Sequence, residues 1–457
     1  MNRRSDPTFD YLIAGARIID PESGLDKVGD IYVKGKKITR IETEKLISIR
    51  KKDRKIIDAR GKICCPGLID IHTHLREPGR EDEETIYTGS LAAVAGGFTT
   101  ILCMPNTQPP LDDQESINFI YEKAKTAKCK VYPIACITAG REGKQLTEMA
   151  DLKNAGAVGI SDDGDPVSDP RILRHALEYS KMVDLPVISH CEDLSLSKDG
   201  VMNEGFVSTV LGLRGIPSIA EETIVARDIR LAEFTGARLH IAHVSTSGSV
   251  ELIREAKKRK LNVTSEATPH HLTLTDESIK SFDTNCKVNP PLRTRKDVDA
   301  VIKGLKDGTI DCIATDHAPH SEEEKDVEFD YAPFGMIGLE TALGLVTTEL
   351  VEKNHLSWLQ TIARLTLNPA RIFDLQQGKI KVGAPADLTV IDPELEWEVV
   401  PSGLKSKSKN TRRMETKGQS LDDHGGWKGS SHSENVKAFE CEIDCIIFAL
   451  IIYIKMN

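Results

Sequence analysis

The sequence predicts an α/β protein built on a (β/α)8 TIM barrel, with a small composite β-sandwich domain formed from both chain ends. Two observations support this. Between residues 66 and 375, short apolar runs alternate with longer amphipathic stretches, as in parallel strands joined by helices. Residues 1–65 and 376–411 instead contain short β-rich pieces separated by glycines. We therefore expect a central barrel beside a small β domain.

The β domain is predicted from residues 10–20, 30–41 and 55–67, which are rich in β-branched residues and punctuated by turn glycines. Residues 378–392 return to the same pattern. We expect the two ends of the chain to pair in this domain.

Eight apolar runs are the candidate barrel strands, and eight strands close a barrel of this type. They are residues 67–74, 98–106, 131–137, 157–163, 186–192, 238–245, 262–270 and 311–317. Among the intervening segments, four have apolar residues spaced three and four apart, as an amphipathic helix requires. These are residues 116–128, 170–183, 221–236 and 249–260.

Composition excludes several classes of protein. Of the 457 residues, 39% are hydrophobic and 28% are charged, which is enough apolar material for a folded core. The formal net charge is -10 and no basic block dominates, so nucleic acid is not an expected partner. The N-terminus lacks a signal-like apolar region, and the apolar run 445–454 is too short to cross a bilayer. We expect a cytoplasmic protein with no membrane partner.

Polar residues that can do chemistry stand at the C-terminal ends of most candidate strands. In a barrel these ends open at one mouth, so the residues should form a single site. Imidazoles and carboxylates make up the candidate metal ligands: His72, His74, Asp163, His190, His243 and Asp316. The two histidines of the first strand are two residues apart and therefore share a face.

This donor set suits zinc, and it can hold two ions if one carboxylate bridges them. Such a site makes hydroxide available near neutral pH and polarises a carbonyl, which favours amide hydrolysis. Asp316 is the candidate catalytic base that passes a proton to the leaving nitrogen.

Other polar residues lie at or just beyond the strand ends, among them Asn106, Asn289 and His320. Arg76 can grip a carboxylate with two hydrogen bonds, with Asn106 and His320 completing the pocket. The alternative for Arg76 is a salt bridge with Glu77 or Asp82.

His270 and His271 are interpreted differently. They are adjacent on a predicted strand, so their side chains should point to opposite faces. We expect both to have structural roles or to support ligands, and not to bind metal.

The motifs PGLIDIHTHLREPG, MPNT, SDDG, ISHCED, HVST, VNPPLR, ATDHAPH and APFGMIGLET occur in this order. At these residues the chain closely resembles the class I, bacterial-type dihydroorotases of the amidohydrolase superfamily. The resemblance covers about residues 8 to 410. It implies the zinc-dependent, reversible cyclisation of N-carbamoyl-L-aspartate to L-dihydroorotate in de novo pyrimidine (UMP) biosynthesis.

The resemblance also implies residue roles. The six candidate ligands match the family's metal ligands, with Asp163 as the bridging carboxylate. Arg76, Asn106 and His320 match residues that hold the substrate carboxylate, while Asn289 and the Phe334-Gly335 backbone match those that contact the ring. Related hydantoinases bridge their metals with a carbamylated lysine. The fourth candidate strand has aspartates and no lysine, so we expect no such modification.

Two alternatives stay open. One is a catalytically silent or partner-dependent subunit of an aspartate carbamoyltransferase complex, although every ligand position is filled in this chain. The other is a different cyclic amidohydrolase, an allantoinase or dihydropyrimidinase, whose substrate lacks the carboxylate that Arg76 is expected to hold. The sequence leaves open a homodimer and an association with aspartate carbamoyltransferase.

The resemblance stops near residue 411, and residues 412–457 have no family character. A one-base shift near residues 411–413 makes the codons that follow compatible with the family's closing segment. We therefore hypothesise a frameshift at this point. The alternative is a genuine, divergent tail. Loss of the closing strands is expected to leave a sheet edge unpaired. The long acidic segment 321–335 is typical of a lid over the mouth.

Overall fold

The computed structural model of the chain describes residues 9–44, 56–396, 399–410 and 448–453. The first eight residues and most of the tail 412–457, including the proposed site of the frameshift, lie outside the described residues.

In chain order, the strands are β1 (Tyr11–Asp20), β2 (Leu25–Lys34), β3 (Lys37–Glu42), β4 (Ile56–Asp58), β5 (Ile63–Pro66), β6 (Leu68–Thr73), β7 (Phe98–Cys103), β8 (Lys130–Pro133), β9 (Val187–Ser189), β10 (Met202–Asn203), β11 (Gly215–Ile216), β12 (Leu239–Ile241), β13 (Val263–Ala267), β14 (Cys312–Ile313), β15 (Leu388–Glu396) and β16 (Phe448–Tyr453).

The α-helices follow the same order. They are α1 (Ile86–Gly96), α2 (Gln114–Ala124), α3 (Met149–Ala155), α4 (Pro170–Met182), α5 (Leu194–Ser197), α6 (Phe206–Leu211), α7 (Ser218–Thr235), α8 (Ser247–Lys258), α9 (Pro269–Thr273), α10 (Arg295–Asp307), α11 (Glu322–Lys325), α12 (Ala342–Val346), α13 (Trp358–Leu365) and α14 (Leu367–Ile372). A π-helical turn, Thr347–Glu352, follows α12.

One mixed sheet contains strands from both ends of the described chain. Its order is β16-β15-β5-β1-β2-β3, and β4 also pairs with β1. Strand β15 runs antiparallel to β5, with Leu388 opposite Pro66. Apolar side chains of both pieces, such as Ile18, Ile31 and Val390, share one buried cluster. Hydrogen bonds join all of these strands in one sheet, in which β1 pairs with β4 and β5 in succession.

Two parallel sheets carry the predicted central strands, in the orders β6-β7-β8 and β9-β12-β13-β14. Isolated bridges link their edges. Ile160 bridges to Ala135 after β8 and to Val187 at the start of β9, and Thr73 of β6 bridges to His317 after β14. These pairings connect the two sheets at both edges.

The predicted fourth strand, residues 157–163, is present as a short hydrogen-bonded segment. On the β8 side its backbone forms hydrogen bonds at Val158, Gly159 and Ser161. On the β9 side Ile160 pairs with Pro186 and Ile188. The Asp162 carboxylate extends the contact by accepting the backbone N–H groups of Ile137 and Thr138.

The four predicted helices are present as α2, α4, α7 and α8. Helix α4 shows why the prediction works: Asp169 caps its first turn, Pro170 stands at its first position, and its buried residues recur at helical spacing. These buried residues are Leu173, Ala176, Leu177 and Ser180.

Strand β16 contradicts the expectation of an unpaired edge. It lies parallel to β15, with Leu388 opposite Phe448, so tail residues cover the edge of the mixed sheet. Separately, no helix formed by the described residues combines the length and the apolar character needed to cross a bilayer.

Candidate metal centre

Asp163 lies at the middle of the predicted ligands. Its Oδ2 is 3.5 Å from Nε2 of both His72 and His74. Its Oδ1 is 3.5 Å from Nδ1 of His190 and 3.6 Å from Nε2 of His243. The carboxylate therefore faces one histidine pair with each oxygen, which is the placement a bridging ligand needs.

Asp316, which follows β14, completes the cluster on one side. Its Oδ1 lies 3.1 Å from Nε2 of His74 and 3.6 Å from Nε2 of His72. Burial alone would raise the pKa of this carboxyl, but His72 and His74 hold the pKa below its usual value. Asp316 is therefore an ionised acceptor beside the first histidine pair.

The donor set fits a cation on two independent grounds. His72 Nε2 and Asp163 Oδ1 are buried and have no hydrogen-bond partner within the described part of the chain, which is costly unless something binds them. Burial raises the pKa of Asp163, but His72, His190 and His243 lower that pKa well below its usual value. Asp163 belongs to two groups of candidate ligands, one with His72 and His74 and one with His190 and His243. Within each group the donor atoms lie within 4.8 Å of one another.

The Glu266 carboxylate on β13 accepts hydrogen bonds from three histidines, His72, His240 and His243. Nδ1 of His72 donates to its Oε1 at 2.6 Å, and the His243 N–H donates to the same oxygen at 3.2 Å. Nε2 of His240 donates to Oε2 at 3.2 Å. Burial raises the pKa of Glu266, but His72 and His240 outweigh it and bring the pKa to about 2. Its charge therefore directs Nε2 of His72 towards Asp163.

Sequence reasoning missed Glu266. The available signal was a carboxylate inside an otherwise buried strand, where an unpaired charge is expensive. The periodicity of the sequence does not reveal which histidine donates a hydrogen bond to Glu266.

Two amides and a further carboxylate orient other ligands. Nδ1 of His74 donates to Oδ1 of Asn106 at 2.8 Å, which leaves Nε2 facing Asp163. Nε2 of His190 donates to Glu192 at 3.1 Å, and Asn289 donates to the same Glu192 oxygen at 2.8 Å. Glu192 is a second residue that the sequence analysis did not single out.

Arg76 lies beside this cluster and is buried. Its Nε is 3.1 Å from Glu83, so the acid that it contacts is neither Glu77 nor Asp82, the two partners in the alternative interpretation. The difference arises because residues 77–82 form a turn that brings Glu83 back to the guanidinium. The Arg76 guanidinium is 3.3 Å from Nε2 of His320, and Nδ1 of His320 donates to Glu83 at 2.9 Å.

The backbone at Phe334 and Gly335 contacts the same imidazole. Nε2 of His320 lies 2.8 Å from the Phe334 carbonyl oxygen, and the Gly335 N–H donates to the carbonyl of Lys287. Gly335 has φ of +135°, and a Cβ there would stand 2.8 Å from the Ala318 carbonyl oxygen. Only glycine fits this position without displacement of the loop.

The adjacent aspartates have different places. Asp162 accepts two backbone N–H groups and the Thr138 hydroxyl, while Asp163 enters the ligand cluster. His270 and His271 belong to helix α9, so their predicted strand was wrong: Thr268 caps a helical turn there. His271 donates to the Pro290 carbonyl at 3.0 Å, and burial lowers its pKa to about 3.

Three site residues have left-handed backbone conformations. The φ angles are +62° at Arg76, +32° at His243 and +50° at Asp316. Such conformations cost on the order of 1–3 kcal/mol each and are retained where the surrounding structure imposes them. Three of the ten non-glycine residues with positive φ in the described part of the chain therefore belong to this cluster.

Solved structures named as hydantoinases and dihydropyrimidinases have the same fold. L-hydantoinase (dihydropyrimidinase) from Arthrobacter aurescens superposes with a TM-score of 0.76 at 25% identity, over 88% of this chain and 92% of that one. The dihydropyrimidinase from Brevibacillus agri NCHU1002 superposes with a TM-score of 0.76 at 24% identity, over 88% and 91% of the two chains. The described chain thus has the mixed α/β fold of the hydantoinases.

Sequence relatives are more specific. A family model described as dihydro-orotase-like matches residues 61–249. The dihydroorotase of Pelotomaculum thermopropionicum is 55% identical over 400 residues, covering 88% of this chain and 93% of the relative. That of Endomicrobium trichonymphae is 54% identical over 402 residues, covering 87% and 93%. The chain belongs to the dihydroorotase family.

Proposed function

We propose that the chain catalyses the reversible cyclisation of N-carbamoyl-L-aspartate to L-dihydroorotate, the dihydroorotase step of pyrimidine biosynthesis. The observation that carries this proposal is the position of Asp163 between two histidine pairs, with Arg76 and His320 beside them. The names of relatives at 50 to 55% identity support the same reaction over the silent-subunit and hydantoinase-type alternatives.

The proposed cofactor is Zn²⁺, with two ions per subunit. His72, His74 and Asp316 would hold one ion, His190 and His243 the other, and Asp163 would bridge them without a carbamylated lysine. Zinc bound there supplies Lewis acidity towards a carbonyl and lowers the pKa of water. Imidazole nitrogens with carboxylate oxygens are the donors that zinc accepts.

Asp316 is the proposed general base and acid. In the hydrolytic direction the ring amide C–N bond breaks as water adds to the carbonyl carbon. Asp316 accepts the proton from that water and returns it to the departing nitrogen. The carboxylate is ionised, and its Oδ1 lies 3.1 Å from His74 Nε2 and 3.6 Å from His72 Nε2, which fixes its direction.

Arg76, Asn106 and His320 are proposed to bind the substrate carboxylate. The Arg76 guanidinium keeps a fixed orientation, because its Nε donates to the Pro319 carbonyl at 3.0 Å and lies 3.1 Å from the buried Glu83. A fixed guanidinium favours a bidentate hydrogen-bonded pair. Asn289 and the Phe334-Gly335 backbone are proposed to line the ring. These assignments give selectivity for a ring that carries a carboxylate.

For the architecture, we propose that the two parallel sheets and the bridging residues close one (β/α)8 barrel over residues 66–375. The bridges at Ile160 and between Thr73 and His317 support closure. Residues 1–65 and 376–411 are proposed to form the adjoining β domain, and 412–457 a frameshifted tail. We place the protein in the cytoplasm.

The test is turnover by full-length protein purified with zinc. Hydrolysis of dihydroorotate is followed beside dihydrouracil and allantoin, with metal content measured on the same sample. Asp316→Ala should abolish turnover, whereas Asp326→Ala, an exposed acidic residue of the 321–335 segment, should leave it unchanged. Metal-loaded, folded protein that hydrolyses none of the three, or prefers dihydrouracil or allantoin, would overturn the proposal.

A further inference from the structure

An extended segment, Leu404–Asn410, leads from the mixed-sheet region back to the metal centre; we call it the strap. Its side chains alternate strictly between buried and exposed. The exposed side chains are lysines, and the buried ones are Leu404, Ser406, Ser408 and Asn410. Three of these four buried residues are polar, so their burial requires specific hydrogen bonds.

The serines of the strap bind the loop that carries Glu83. The Ser408 hydroxyl donates to the Glu83 carbonyl at 2.6 Å, and the Ser406 hydroxyl donates to the Glu84 carboxylate. The Lys407 N–H donates to the same carboxylate at 3.1 Å. This loop supplies the carboxylate that contacts both Arg76 and His320.

Asn410 makes the contact nearest to the site. Its Oδ1 accepts the His320 N–H at 3.2 Å, and its Nδ2 lies 3.3 Å from the carbonyl oxygens of Ala318 and Gly335. Its own carbonyl accepts the Ile337 N–H at 3.2 Å. One side chain thus joins the two ends of the long segment that follows β14.

These two ends hold the groups assigned to substrate binding. His320 stands at one end and the Phe334-Gly335 backbone at the other, with the His320 imidazole 2.8 Å from the Phe334 carbonyl oxygen. An amide is suited to this place because it offers an acceptor to the N–H on one side and donors to the carbonyls on both. Neither an apolar nor a carboxylate side chain provides that combination.

We infer that Asn410 is a positioning residue for the carboxylate-binding subsite, acting through His320. It fixes the His320 backbone, and with it the distance between the imidazole and the Arg76 guanidinium. This inference rests on the proposed function, because His320 matters to turnover only if it binds the substrate carboxylate. The side-chain hydrogen bonds of Asn410 to His320, Ala318 and Gly335 involve none of the six metal ligands.

The test compares kinetics of full-length, zinc-loaded variants on dihydroorotate. Asn410→Ala should raise KM and lower kcat/KM about tenfold, the effect of losing one or two buried hydrogen bonds, while kcat changes less than about threefold. Metal content should equal that of the parent. Lys405→Ala, an exposed strap residue whose backbone contact to Glu340 survives, is the matched control and should behave like the parent.

A double-mutant cycle separates positioning from general stabilisation. If Asn410 acts through His320, Asn410→Ala should lower kcat/KM less than about threefold when His320 is already alanine. Asn410→Asp is the substitute if the alanine variant does not fold, because it keeps the acceptor for the His320 backbone N–H. Its KM should also rise, since it loses the donors to the Ala318 and Gly335 carbonyls.

Three results would overturn the inference: unchanged KM in both Asn410 variants, equal effects with and without His320, or a fall in kcat that follows loss of metal. An inactive parent would instead refute the proposed function and the inference together. An active parent with unaffected Asn410 variants would refute the inference alone.

Discussion

The carboxylate of Glu266 should set the metal affinity of the site without contacting the metal. It accepts hydrogen bonds from His72 Nδ1 at 2.6 Å, from the His243 N–H at 3.2 Å and from His240 Nε2 at 3.2 Å. Glu266→Gln keeps the shape but removes the charge, and Glu266→Ala removes all three acceptors.

The magnitude follows from these contacts. A hydrogen bond to a charged group contributes about 1.5–3 kcal/mol and a neutral one about 1 kcal/mol, so Glu266→Gln should lose roughly 1 to 1.5 kcal/mol at His72. This corresponds to about tenfold weaker zinc binding. Glu266→Ala leaves His72 and the His243 N–H without acceptors, and about 100-fold weaker binding is expected, the upper end for residues that orient metal ligands.

The assay is competition for zinc against a chromophoric chelator, with turnover measured separately at saturating zinc. Glu251→Gln, an exposed glutamate on α8, is the matched control and should bind zinc like the parent. Folded Glu266→Ala protein with parental zinc affinity would show that His72 does not depend on this carboxylate, and the reasoning would be refuted.

Two further predictions concern neighbouring carboxylates and a buried lysine. Asp163→Asn should lower the zinc content with little loss of melting temperature. Asp162→Asn should retain zinc but lower the melting temperature, because the Asp162 carboxylate accepts the backbone N–H groups of residues 137 and 138. Metal analysis and thermal melts check both variants, and the reverse pattern would contradict the prediction. Burial lowers the pKa of Lys325 to about 7, whereas a lysine in an unfolded chain has a pKa of about 10.4. At pH values between these two pKa values the unfolded chain binds more protons than the folded one, so the free energy of unfolding rises with pH. Lys325→Met lacks this contribution, so its free energy of unfolding minus that of the parent should fall as the pH rises from 7 to 9.5, as measured by urea titrations. A constant difference would show that the pKa of Lys325 is not lowered.

The grouping of the proposed metal ligands could be predicted from sequence because these residues stand at or near the C-terminal ends of predicted strands. Two-residue spacing places His72 and His74 on one face, and the parallel arrangement brings His190, His243 and Asp316 to the same edge. These are consequences of local periodicity and strand direction, which a sequence records directly.

The supporting residues could not be predicted in the same way. Glu266 meets a histidine 194 positions earlier, and Asn410 meets one 90 positions earlier. Such pairings depend on how loops and strands pack in three dimensions, and no spacing rule encodes them. For the same reason, the salt-bridge alternative for Arg76 named Glu77 and Asp82 and not Glu83, since a turn decides which of several nearby carboxylates returns to it.

The pairing of β5 with β15 has a consequence for the order in which the protein folds during synthesis. Pro66 lies opposite Leu388, so the ribosome must add more than 300 residues before β5 meets this neighbour. At roughly 5–20 residues per second this takes on the order of half a minute, far longer than helices and parallel βα units need to form. The central strands and the histidines of the candidate metal centre therefore have time to assemble while one side of β5 is still without its partner, and the mixed sheet is completed last.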